Sequence, residues 1–113
     1  MELRTEPVGE VTVVTIPGDT LDAGNSQEFK NDVAPVLEQH RQVVFDMSEL
    51  TFVDSSGCGA LLSCLRKVKE EGRGGLLLCS VSSQVQDLFK VVRMDQVFRI
   101  FESREKAVQA FAA

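Results

Sequence analysis

A chain of 113 residues has room for one domain, here expected over residues 1–113, with a core that needs neither disulfide nor metal. Its 17 acidic and 12 basic residues leave a formal charge of −5, which argues against direct nucleic-acid binding, because that depends on a basic face neutralising phosphates. No apolar run approaches the roughly 20 residues that span a bilayer, and MELRTEPVGE lacks the apolar core of a secretion signal, so a cytoplasmic protein away from membranes is expected.

Glu2–Glu6 is a short candidate strand, ended by Pro7 and turned at Gly9; Val11–Ile16 (VTVVTI) is a β-branched strand closed by Pro17-Gly18. The two can pair as an antiparallel hairpin. Asp19–Asp22 reads as a polar loop, and Asn25 or Ser26 caps the helix that follows. There Phe29, Val33, Val36 and Leu37 form one apolar stripe. Pro35 predicts a kink or break near Asp32–Ala34, since proline removes a ladder bond and crowds the carbonyl four residues back. Gln42–Met47 (QVVFDM) is apolar enough for a buried strand. A helix is predicted over Ser56–Glu71, with Cys58, Leu61, Leu62, Leu65 and Val68 on its inner face, ended by Gly72, Gly74 and Gly75. Leu76–Cys79 is the next strand, and Ser83 with Gln86 forms a capping box before a third helix. Val97–Phe101 is the last strand, and Ser103 opens a terminal helix bearing Ala107, Val108 and Phe111. Helices alternating with strands signal an α/β sheet with right-handed crossovers.

Thr51–Leu62 (TFVDSSGCGALL) packs a strand exit, a sharp turn and a helix start into one stretch. Asp54, Ser55 and Ser56 are helix-capping types, while Gly57, Cys58, Gly59 and Ala60 are small. Glycine costs a helix about 1 kcal/mol relative to alanine, so propensity did not select Gly57 and Gly59. Small residues admit a close partner surface and leave the preceding hydroxyls uncovered. Ser55 is the expected centre. Two uses compete for it: Asp54, Ser55 and Ser56 as plain caps with Asp22 shaping its own loop, or Ser55 as a phosphate acceptor.

Enzyme chemistry lacks its parts. A serine nucleophile needs a nearby base, and the single histidine, His40, is expected near solvent at the far end of a helix. No G-x-S-x-G, dinucleotide fingerprint or phosphate loop is present, so no cofactor is expected. Cys58, Cys64 and Cys79 form no C-x-x-C pair and read as reduced, buried thiols rather than metal ligands.

DSSGCGALL at Asp54–Leu62, with its TFV lead-in, resembles the signature of STAS domains, and in particular of the single-domain bacterial anti-sigma factor antagonists. GDTLDAGN at Gly18–Asn25, LLLCSVSSQVQDLFKVV at Leu76–Val92 and VFRIFESREKAVQAF at Val97–Phe111 extend the likeness over nearly the whole chain. The resemblance implies a mixed sheet of four to five strands with about four helices mainly on one face, rather than two-sided winding. It also implies partner switching. The unphosphorylated chain would bind an anti-sigma factor that is a serine kinase of the GHKL type, and so release its target. Phosphorylation of Ser55 would end binding, and a PP2C-like phosphatase would reverse it. The chain would be a monomer and not an enzyme, with Asp22, Asp54, Ser56, Gly57, Cys58 and Gly59 on its partner-binding face. A non-switching STAS module, a scaffold or nucleotide sensor acting on some other target, is the alternative. Cys58 departs from the bulky aliphatic common after the motif glycine, Pro35 is unusual in the first helix, and Arg93-Met94 replaces a common glycine turn.

Overall fold

Five apolar or β-branched residues, Val11–Thr15, form strand β2, and in the computed structural model, which describes residues 1–70 and 74–112, both of its faces are covered. On one side it pairs antiparallel with β1 (Arg4–Val8), and on the other it runs parallel to β4 (Gln42–Asp46). Parallel neighbours β6 (Gly75–Cys79) and β7 (Ile100–Phe101) complete a five-stranded sheet in the order β1-β2-β4-β6-β7. A second, two-stranded sheet pairs β3 (Thr20–Leu21) with β5 (Phe52–Val53) in parallel.

The helices are α1 (Ser26–Gln39), α2 (Ser55–Glu70), α3 (Ser83–Val91) and α4 (Arg104–Ala112). Each crossover from β2 onward steps in the same direction along the sheet, and right-handed crossovers that never reverse leave their helices on one face. Alternate residues of the central strands, among them Val43, Phe45, Leu76 and Leu78, meet α1, α2 and α3 there. Phe29 of α1 stands edge-on to Phe45, ring centres 5.7 Å apart, an arrangement worth about 0.5–1.5 kcal/mol beyond its buried area. The opposite alternation, Val11, Val13, Val44, Leu77 and Cys79, packs on Ala107 of α4. The mixed sheet with helices mainly on one face is as expected, with α4 alone across it.

Several local expectations are corrected by tertiary position. Pro7 does not end β1 but lies within it opposite Thr12; β1 is an exposed edge, where a missing N–H leaves no ladder bond unmade. Gly9, at φ +63°, fills the first central place of the two-residue hairpin turn. Thr20–Leu21 is a strand rather than part of a polar loop. Asn25 stands at the N-cap of α1 but gives the helix no side-chain bond, and α1 runs through Pro35 without a break, its Phe29, Val33 and Leu37 anchored in the core. The cap of α3 is Ser82, whose hydroxyl accepts from Val85 N–H at 3.3 Å, so the box expected on Ser83 is one residue out of register. Only Ile100 and Phe101 of the last predicted strand pair with the sheet. The residues before them follow a 3₁₀ turn at Met94–Gln96, entered through Arg93 at φ +62°. Gly75 begins β6 instead of ending α2, while Glu71 and Gly72 lie outside the described residues.

Candidate functional site

The small sheet places the site. Because β3 runs parallel to β5, the loop after Leu21 and the start of α2 after Val53 leave on the same side. Asp54 joins them. Its amide donates to Leu21 C=O at 3.2 Å. One carboxylate oxygen accepts from Gly57 N–H at 2.9 Å, as an N-cap does, and the other from Ala23 N–H at 3.1 Å. The helix start and the β3–α1 loop are therefore held by one side chain.

Asp22 is engaged in its own loop. Its carboxylate accepts from Gly24 N–H at 2.9 Å and from the Thr20 hydroxyl at 3.2 Å. Its amide donates to Asn25 Oδ1 at 2.9 Å, and Asn25 Nδ2 donates to Thr20 C=O at 2.8 Å. Asn25 thus serves the loop, which explains why it leaves α1 uncapped.

Ser55 is the first residue of α2 and is exposed; Ser56 is half-buried. Among the described residues neither hydroxyl has a hydrogen-bond partner within the chain, so capping falls to Asp54 alone. The two glycines differ. A Cβ on Gly57 would lie 2.2 Å from Leu21 C=O and 2.8 Å from Val53 Cγ1, so the contact between α2 and β3 requires glycine there. A Cβ on Gly59 would meet nothing within 4 Å. Folding has no need of glycine at 59.

Cys58 points inward and is 7% exposed. Burial, then the Asp54 charge, pushes its thiol above the ordinary value, so it is a neutral packing group. Gly57 and Cys58, expected on the partner-binding face, are therefore inside, and the exposed small residues are Ser55 and Gly59. Phe52, which sequence reasoning passed over, is 53% exposed on the strand that enters the site. It borders a cleft of about 250 Å³ with Asp54, Val85 and Leu88. The period-two alternation of Phe52 and Val53, with Val53 buried, is the signal that would have turned Phe52 outward.

His40 caps the far end of α1 and borders a groove with Glu10, Arg41 and Gly74, where β4 and β6 begin. Ser55 instead follows the end of β5, at the start of α2. Cys64 and Cys79 are buried, with burial pushing their thiols to about 12 and about 11. Among the described residues no cluster of His, Cys, Asp and Glu could hold a metal ion, and no helix is long and apolar enough to cross a membrane.

A second constellation, also missed from sequence, sits where α4 starts. Asp46 ends β4 nearly buried, and its carboxylate accepts from Arg104 Nη2 at 2.9 Å and from Ser48 N–H at 2.9 Å. Arg104 also donates to Glu6 at 2.7 Å and to the Thr15 hydroxyl at 3.4 Å. Burial pushes the Asp46 pKa up, but the bonds from Ser48 and Arg104 outweigh it and hold the carboxyl below its ordinary value. An acid closing the otherwise apolar run QVVFD is its one local trace in the sequence.

Comparison with known proteins gives a family match, the STAS domain, over residues 2–107. The anti-sigma-B factor antagonist of Bacillus subtilis is 25% identical over 96 residues, spanning 85% of this chain and 86% of its own. Among solved structures, an anti-sigma-factor antagonist (STAS) domain protein from Planctomyces limnophilus superposes with a TM-score of 0.89 at 23% identity, covering 98% of each chain. The Bacillus cell fate determinant SpoIIAA in its phosphorylated form gives a TM-score of 0.69 at 20% identity, covering 96% of this chain and 98% of its own.

Proposed function

Because this chain belongs to the STAS domain family, we propose that it is an anti-sigma factor antagonist whose docking face is the start of α2 and whose switch is phosphorylation of Ser55. The observation that carries the reading is the contrast at that helix start: Asp54 does the capping, and the exposed Ser55 hydroxyl has no internal work. Gly59, which the fold does not require, keeps the surface beside it low. The relative named an anti-sigma-B factor antagonist and the neighbour named as phosphorylated SpoIIAA support the same reading.

The partner is an anti-sigma factor that is itself a serine kinase of the GHKL type. In its complex, Ser55 Oγ attacks the γ-phosphorus of ATP; the new O–P bond forms as the bond to ADP breaks, and the hydroxyl proton passes to a base of the kinase. This chain contributes the acceptor and no catalytic group, and is not an enzyme. The product carries about −1.5 to −2 charges at a helix start, where first-turn N–H groups and the helix dipole favour an anion. Asp22 and Asp54 oppose it by like charge. The fold is therefore kept while the docking face gains about −1.5 to −2 charges at Ser55. Burying that charge unpaired against the partner would cost several kcal/mol, enough to lower affinity by orders of magnitude. A PP2C-like phosphatase restores the serine by hydrolysing the ester.

Asp22, Asp54, Gly57 and Cys58 act here by holding Ser55, Ser56 and Gly59 in place. The test is binding of the anti-sigma factor from the same host, by titration calorimetry, with Ser55→Ala and Ser55→Asp. Ser55→Ala should bind as the unmodified chain does and Ser55→Asp at least tenfold more weakly. Equal affinity would overturn the switch and leave a non-switching STAS module.

A further inference from the structure

The lower half of α2 and the end of α3 carry a patch for which the Ser55 switch has no use. Ser55, Gly59, Leu62, Arg66 and Lys69 recur at alternating spacings of four and three along α2, so they share one stripe of the helix. Leu62, Arg66 and Lys69 line a cleft of about 170 Å³ with Val97. Val97 also borders the larger groove of about 610 Å³ beside β7, whose charged lining is Lys90, Asp95, Arg99 and Glu102. Arg93 stands at the entry to the 3₁₀ turn that precedes Val97. Within this area Val91, Val92 and Val97 are 80%, 49% and 47% exposed, a local concentration of large apolar groups left in water.

The charge there runs against that of the chain. Arg66, Lys69, Lys90 and Arg93 have no carboxylate partner among the described residues, and Arg99 lies over the Phe101 ring at 5.2 Å. Elsewhere Arg4 pairs with Glu49, Arg104 with Asp46 and Glu6, and Lys106 with Glu102. Glu70, Asp87 and Asp95 lie on the same elements without closing an ion pair. A molecule of net charge −5 thus gathers five cations around exposed valines.

We propose that this strip receives an acidic amphipathic helix of the anti-sigma factor, extending the contact from Ser55 down α2 to the turn after α3. The inference rests on the reading of the α2 start as the docking face. The stripe is continuous with that face, the valines offer an apolar floor, and the cations on its rim select acidic side chains. A second copy of the chain would bring like charges together. An anionic bilayer fits worse: the exposed apolar groups are short valines rather than the Trp, Phe and Leu that insert, and the net negative charge opposes approach.

The experiment measures affinity of the host anti-sigma factor for the full chain, for Arg66→Glu/Lys69→Glu, for Arg66→Gln/Lys69→Gln and for Ser55→Asp, at 50 and 300 mM salt. Circular dichroism confirms that each variant is folded. The expected result is at least tenfold weaker binding for the charge-reversed pair at 50 mM, a smaller loss for the neutral pair, and a narrowing of both gaps at 300 mM. Binding within twofold of wild type at both salts overturns the strip, and if Ser55→Asp still abolishes binding the switch survives alone. A loss on charge reversal with none for Ser55→Asp keeps the strip and overturns the switch. Phosphatidylglycerol–phosphatidylcholine vesicles are the control. Vesicle binding that charge reversal abolishes, with binding of the anti-sigma factor unchanged, would assign the patch to lipid and overturn the proposal.

Discussion

The starts of α2 and α4 are built to opposite rules. At α4 the capping serine and the arginine are both matched inside the chain: the Ser103 hydroxyl accepts from Lys106 N–H at 3.2 Å, and Arg104 binds Asp46, Glu6 and Thr15. At α2 one carboxylate is matched and the hydroxyls beside it are not. The first arrangement makes stability, since a nearly buried acid would be expensive alone. The second leaves chemistry available to another molecule. Which polar groups the fold has already used is therefore a better guide to function than which polar groups are present.

The largest effect should come from removing the tight contact under the α2 start. Gly57→Ala forces a Cβ against the Leu21 carbonyl and should destabilise by about 2–4 kcal/mol, in the range of core overpacking or beyond. Gly59→Ala meets open space and should be neutral or stabilise by up to about 1 kcal/mol. Denaturant unfolding of the two variants checks this directly, and similar behaviour would erase the distinction between them.

Next comes the α4 clamp. Arg104→Ala leaves Asp46 without its cation and should cost about 2–3 kcal/mol at neutral pH, less than a fully buried pair because Arg104 is 31% exposed. The folded Asp46 pKa is depressed below its ordinary value of 3.8. Its contribution is therefore complete above that value and is lost as pH falls through the lower folded one. Wild type and Arg104→Ala should converge in stability as the solution is acidified through the carboxylate range. A gap that stays constant down to strongly acid pH would show that Arg104 acts by packing instead.

The smallest effect is expected at Arg93, which holds a left-handed φ of +62°. Arg93→Gly relieves that strain but adds freedom to the unfolded chain, for a net gain of up to about 1 kcal/mol. A loss of stability would mean that the Arg93 side chain has a structural role. The same variant tests the surface strip separately, because it deletes one of its cations.

The helix stripes, the buried strands and the cap that Asp54 supplies were legible because they are local patterns. The one-sided arrangement came from the family resemblance; periodicity reports that both faces of a strand are covered but not by what. Pro7 did not end its strand, and Pro35 did not break its helix. Their penalties depend on whether the lost N–H had a partner and whether the helix is anchored, and both are settled by tertiary position. Nor could Gly57 be told from Gly59, since only the approach of Leu21 separates them. Asp46 and Arg104 stand 58 positions apart, and no local pattern joins them.

The edge strand β1 has one more consequence. A chain proposed to exchange partners must spend part of its life with none, at whatever concentration the cell keeps in reserve. An unpaired strand edge is a template for another chain's strand, and so for aggregation. Pro7 breaks that template in the middle, while Arg4 and Glu6 surround it with charge engaged by Glu49 and Arg104. The residue that first looked like the end of a strand is the one that removes an N–H from that open edge.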